Sequence, residues 1–205
     1  FSSASDAYRK GKLKTTVISV YDLLVEIILP PAIVLMLTGP ELFSFVFGKE
    51  WKEAGVLIQW FTPWMVFAFI TSPITRLFSI LEREPMGAVF QGILLAVRVI
   101  FILGTYILTH DFILTASLFA IGSSMVLICI LYWCISASQI SIWLSIRIFI
   151  KKVPSAIMLA SPAIIVNVLK IFNYSISVGL VFLSALLSIL LIAVYYLRIL
   201  KKRDF

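Results

Sequence analysis

Charged side chains are scarce in this chain. Lys, Arg, Asp and Glu together make up 13% of the 205 residues, about half the share usual in a soluble domain. Histidine occurs once, as His110, and cysteine twice, as Cys129 and Cys134. That inventory excludes a His/Cys metal cluster. Five residues apart on a helix, the two cysteines point about 140° away from each other, so they read as two buried small hydrophobes. His110, in the short stretch "THDF", reads as a solvated turn residue. No nucleophile elbow and no glycine-rich phosphate loop is visible. Glu82 and Glu84 flank Arg83 in "EREP", which reads as a solvated turn rather than a catalytic pair. No catalytic residue, no metal ligand and no cofactor is therefore expected. No secretory leader is expected either: the chain opens "FSSASDAYRKGKLK", polar and basic, and without Met. The expectation is that it was processed or, better, is the latter part of a longer protein.

What the chain does have is apolar residues, 61% of the total. A soluble domain of this size cannot hide that much apolar surface, so the class is a polytopic membrane protein. A helix needs about 20 apolar residues to cross the hydrocarbon. Six candidate spans appear, at about 17–38, 56–81, 86–108, 112–137, 153–169 and 175–197. A strand barrel would need short alternating segments of about ten residues, whereas these runs are long and continuous. The expected fold is thus all-α, a membrane helix bundle of six spans over residues 17–197. Residues 1–16 form a cytoplasmic connecting segment and 198–205 a basic cytoplasmic tail.

The basic residues orient the spans. With the N-terminus in the cytoplasm, the inner segments carry Arg9, Lys10, Lys12, Lys14, Arg83, Arg147, Lys151, Lys152, Arg198, Lys201, Lys202 and Arg203. The outer segments carry only Lys49, Lys52 and Lys170. Both termini are therefore expected on the cytoplasmic side of the cell inner membrane. The net charge of +7 becomes a topology signal, with attraction to anionic membrane lipids as a by-product, and not a sign of nucleic-acid binding. The segment "GPELFSFVFGKEWKEAG", Gly39 to Gly55, becomes an outer connection whose Phe and Trp side chains suit the interface. Residues Ser141 to Lys152 fit either a helix lying on the inner surface or a continuation of the fourth span.

Four ionisable residues fall inside spans: Asp22, Glu26, Arg76 and Arg98. Burying one in lipid costs about 2.5–3.5 kcal/mol on insertion scales, so they should face protein or water. Asp22 and Glu26 are four apart and share a face. Ser72, Thr75, Arg76, Ser79 and Arg83 follow helical steps on the second span. Gln91, Arg98 and Thr105 are spaced by seven on the third. Three polar stripes on neighbouring helices suggest a common aqueous cleft. Asp22 also fits the inner interface, Arg76 can snorkel, and a Glu26–Arg76 ion pair would be purely structural. Arg98 is too deep to snorkel cheaply. Its guanidinium binds phosphate bidentately and stays charged when partly desolvated, which suits an anionic substrate such as a diphosphate. Pro30, Pro31, Pro63, Pro73 and Pro162 are expected to interrupt their helices, as in transporters with broken helices near the substrate.

The run from Pro30 to Gln91 resembles the prokaryotic O-antigen-type polysaccharide flippases of the multidrug/oligosaccharidyl-lipid/polysaccharide exporter superfamily. The matching residues are Pro30, then Phe47, Gly48, Trp51 and Ala54, then the charged turn Glu82 to Pro85. The resemblance implies the second lobe of a two-lobed flippase, paired with a missing N-terminal lobe or a partner chain. Its substrate would be a lipid-linked oligosaccharide, moved from the inner to the outer leaflet by alternating access. Arg98 and Arg76 would be candidate contacts to the diphosphate, Gln91 a further cavity residue, and Asp22 and Glu26 coupling or gating partners. A membrane-embedded glycan-assembly enzyme, a small-molecule exporter of the same superfamily and a nonfunctional remnant are the alternatives.

Overall fold

The computed structural model describes residues 13–171 and 177–203. The expected connecting segment up to Lys12 and the expected start of the sixth span at Ser175 lie outside the described residues, as do Asp204 and Phe205 of the tail. Helix accounts for 92% of the structure, and no strand occurs among the described residues. In chain order the helices are α1 (Leu13–Phe47), α2 (Lys52–Ile74), α3 (Leu77–Ile80), α4 (Glu84–Thr109), α5 (Phe112–Ala137), α6 (Ile142–Leu159), α7 (Ser161–Ile171) and α8 (Val178–Arg203), with one 3-10 turn at Lys49–Trp51. Five stretches are long and apolar enough to cross a membrane, and α6 with α7 makes a sixth if that bent pair is one span. The chain is a multi-pass membrane protein by this measure.

Two compact units divide the chain. Unit one comprises Phe1–Val25 and Pro63–Ile150, and unit two comprises Glu26–Thr62 and Lys151–Phe205.

In unit one, α4 and α5 form a helical hairpin. The turn between them is set by His110, left-handed at φ 52°, and by Asp111, whose carboxylate accepts a bond from Leu114 N at 3.0 Å. Such a side-chain cap satisfies one of the free N–H groups at a helix start. The face that α5 buries is made of small and hydroxylated residues, among them Thr115, Ser117, Ala120, Ser123 and Ser124. Thr115, Ser117 and Ser124 each donate to the carbonyl four residues back, so their hydroxyls cost little away from water. Small residues let helix backbones approach closely, the usual device of membrane helix pairs. An aromatic cluster closes the other end: Phe78 stacks on Trp133 at 4.5 Å, with Phe90 against both.

In unit two, the central core consists of Val34, Ala160, Ala163, Ala185 and Ile192. The alanines bring α7 close to α8. There the Ser188 hydroxyl, fully buried, accepts the backbone N–H of Ala163 at 3.3 Å.

Several expected boundaries shift. The first helix does not end near Thr38 but runs to Phe47, so most of the expected outer connection is helical; the chain turns at Gly48. Gly48 has φ 108°, a conformation that costs a residue with a Cβ heavily. Gly39 and Gly55, which bound that connection, lie in contact: a Cβ on Gly55 would sit 2.4 Å from the Gly39 carbonyl oxygen. Glycine is required at both because the backbones of α1 and α2 touch there.

Pro30 and Pro31 do not interrupt α1, and Pro63 does not interrupt α2. Each proline in α1 deprives the carbonyl four residues earlier of its N–H, and side chains replace those donors. Pro30 and Pro31 free the carbonyls of Glu26 and Ile27, and the Tyr196 hydroxyl donates to both, at 3.4 Å to Glu26 and closer to Ile27. Pro40 frees Met36, and Gln59 Nε2 donates to that oxygen at 2.6 Å.

The second expected span holds as one stretch, Lys49–Ile80, with a turn at Thr75–Arg76 just after Pro73 separating α2 from α3. The fifth is longer than expected. It bends by 74° between α6 and α7, with the break at Ala160, two residues before Pro162. Residues Ser141 to Lys152 belong largely to α6. Cys134 is buried as expected, but Cys129 is exposed.

Candidate functional site

Arg98 lies 14 residues into α4, about 21 Å along a helix of about 39 Å. It is half-buried. Its stem leaves α4 toward α5, where Nε donates to the Ser123 hydroxyl at 3.4 Å. The guanidinium carbon lies 5.6 Å from the centre of the Phe119 ring and 5.9 Å from that of Trp64. Those two rings are themselves tilted against each other at 6.1 Å. Both distances fall within cation–π range, so the rings stabilise the positive charge while water is partly excluded. No carboxylate among the described residues pairs with Arg98, and its four terminal N–H bonds have no protein acceptor there. A guanidinium with five donors and one bond made is a cation ready for a bidentate anion.

The sequence reason for this arrangement is local. Arg98 and Thr105 are seven apart, which keeps them on nearly the same side of α4. Thr105 is buried, whereas Gln91, a turn-pair earlier, is exposed. Along that one side of α4 burial rises from the exposed Gln91 through the half-buried Arg98 to the buried Thr105. Gly122, next to Ser123, leaves room for the Phe101 ring, which would lie 2.3 Å from a Cβ at that position.

The other expected site residues have different surroundings. Arg76 is exposed at the break between α2 and α3, and Ser72, Ser79 and Arg83 are exposed with it. The turn at Thr75–Arg76 separates Ser72, on α2, from Ser79, on α3. Asp22 is half-buried in unit one, beside the buried Tyr21, whose hydroxyl donates to Ser145 O at 3.4 Å.

Glu26 belongs to unit two. Lys152 Nζ lies 3.0 Å from its Oε2, and the Tyr195 hydroxyl donates to its Oε1 at 2.5 Å. The Glu26 side chain is only 11% exposed and that of Lys152 22%. Lys152 is thus largely buried and paired with an acid from α1, a contact that neither reading of Ser141 to Lys152 provides. A paired ammonium and carboxylate can lie in an apolar bundle at tolerable cost, since each removes most of the other's desolvation penalty.

Sequence reasoning missed Lys152, Tyr195, Tyr196 and Gln59. One signal was available. Prolines inside a membrane helix leave carbonyls that lipid cannot satisfy, so donors were required somewhere, and "YY" in the last span and Gln59 in the second were candidates. Which donor meets which carbonyl depends on the packing of helices far apart in sequence.

No protein-family model, curated protein or solved structure matches the chain.

Proposed function

We propose that the chain is the C-terminal half of a transporter that flips a lipid-diphosphate-linked oligosaccharide across the cytoplasmic membrane for cell-surface polysaccharide synthesis. The observation that carries this reading is Arg98: mid-helix, half-buried between two aromatic rings, bonded to one hydroxyl and, among the described residues, to no acid. A cation in that state carries an unmet electrostatic demand. A diphosphate meets it with several charge-assisted bonds at once, and a neutral lipid does not.

The rest of the assignment follows from chemistry. The lipid moiety stays in hydrocarbon, and the multi-pass apolar helices provide the surface along which it moves. The diphosphate needs a polar station inside the membrane, and Arg98 supplies it. Movement needs helices that can be re-angled. The 74° bend at Ala160 and the break at Arg76 are points where the backbone has already left the straight helical ladder. The resemblance of Pro30 to Gln91 to polysaccharide flippases points to the same substrate class. A second lobe or partner chain would complete the pathway, with both termini of this half in the cytoplasm. No catalytic residue is assigned, because translocation breaks no bond.

The experiment is Arg98→Ala in the producing cell, with membrane insertion checked by fractionation. Surface glycan is expected to disappear while the protein remains in the membrane. Normal glycan export by a well-inserted variant removes Arg98 from the mechanism.

A further inference from the structure

Three lysines fall in the segments that charge bias leaves on the sparsely positive side: Lys49, Lys52 and Lys170. They come from two connections far apart in sequence, yet in unit two all three line one cavity of about 350 Å³. Glu41 and Ser44 line it as well, with Val178 and Val181 as apolar wall. The volume lies in the range of small-molecule sites.

The local sequence explains how the charge becomes one-sided. Lys49 and Lys52 are three apart across the 3-10 turn and the start of α2, so they project to the same side. Glu50 and Glu53 alternate with them and are not part of the lining. Lys170 lies in the last turn of α7, where the helix dipole favours a cation, and it pairs with Glu41. The lining charge is therefore three lysines against one glutamate, a formal +2. Among the described residues Lys49 and Lys52 have no acid partner. Like charges gathered in one concavity repel each other unless an anion joins them.

The surroundings indicate where that anion resides. Phe45, Phe47 and Trp51 are each at least half exposed beside the cavity-lining residues in sequence. Exposed Trp and Phe next to lysine is the composition of a membrane–water boundary. We propose that the cavity binds the phosphate of an anionic lipid headgroup, with Lys49, Lys52 and Ser44 as donors and Glu41 restraining Lys170. This site belongs to unit two, shares no residue with the Arg98 site, and stands whether or not the flipping proposal does.

The test uses the purified full chain in dodecylmaltoside, with short-chain phosphatidic acid, phosphatidylcholine of the same chain length and inorganic phosphate as probes. Wild type is expected to retain phosphatidic acid over phosphatidylcholine. The double variant Lys49→Gln with Lys52→Gln is expected to lose about tenfold in affinity. Lys151→Gln, an exposed lysine outside the cavity, controls for general charge loss and is expected to bind as wild type. Glu41→Gln releases Lys170 and is expected to bind more tightly, whereas Glu84→Gln, an exposed acid outside the cavity, is expected to bind as wild type. If inorganic phosphate binds as well as the lipid and with the same lysine dependence, the pocket is upheld and its ligand is a soluble phosphate. Equal retention of the two lipids, or a double variant that binds like wild type, overturns the proposal. Size-exclusion profiles show whether each variant is folded, and the readout does not depend on glycan export.

Discussion

Adding one methyl group to Gly55 should separate two helices. An ideal Cβ there would lie 2.4 Å from both the Gly39 oxygen and Pro40 Cα, and 2.7 Å from the Gly39 carbonyl carbon. All three are backbone atoms, so no side-chain rotation relieves the clash. Ordinary contact begins near 3.4 Å, so the two backbones must part by about 1 Å; a gap of that size already forfeits up to half of each dispersion contact. Overpacking of this kind costs about 1–3 kcal/mol. The bond from Gln59 Nε2 to Met36 O, 2.6 Å long and one turn away, would stretch past bonding distance and add about 1 kcal/mol. Alanine's better helix propensity returns about 1 kcal/mol at most. With that gain taken in full, the net expectation for Gly55→Ala is about 1–3 kcal/mol of destabilisation. Gly92 provides the control: it lies inside α4, and a Cβ there meets nothing within 4 Å. Gly92→Ala should be neutral or stabilising, by up to about 1 kcal/mol. The assay is unfolding in dodecylmaltoside micelles titrated with dodecyl sulfate, followed by circular dichroism. Gly55→Ala matching Gly92→Ala in stability would refute the close approach of α1 and α2.

Other substitutions probe the polar groups between helices. Tyr196→Phe leaves the Glu26 and Ile27 carbonyls, freed by Pro30 and Pro31, without their side-chain donor; a loss of about 1–3 kcal/mol is expected in the same titration. Gln59→Leu strands the Met36 carbonyl and should cost about 1–2 kcal/mol, unless Pro40→Ala is added to restore the backbone donor, when most of the loss should return. Lys152→Ala leaves the Glu26 carboxylate without its ammonium and should cost about 3 kcal/mol; adding Glu26→Gln should recover part of it, and a strictly additive double variant would dissolve the pair.

The class of fold was legible because hydropathy is summed over some twenty residues per span, and such sums tolerate local error. Boundaries were less so. Thr38 looked like an end because Gly39 and Pro40 follow, yet the helix continues: Gln59 supplies the bond that Pro40 removes. Pro30 and Pro31 looked like breaks for the same reason, and Tyr196 answers them from more than 160 positions away. A single sequence shows the missing donor and not its distant replacement. Arg98 stood out because a deep arginine is costly wherever it points, whereas its ring partners Trp64 and Phe119 are ordinary residues of apolar runs. The partner of Lys152 was not legible because amphipathicity cannot distinguish a lysine facing water from one facing a glutamate on another helix.

The most direct measurement compares a polyprenyl diphosphate with the corresponding polyprenol, each bound to purified chain carrying Lys49→Gln and Lys52→Gln, with and without Arg98→Gln. Those background changes silence the lysine cavity. If Arg98 receives the diphosphate, Arg98→Gln lowers its affinity by about tenfold or more and leaves the polyprenol untouched. Equal affinity for the diphosphate with and without the guanidinium contradicts the account.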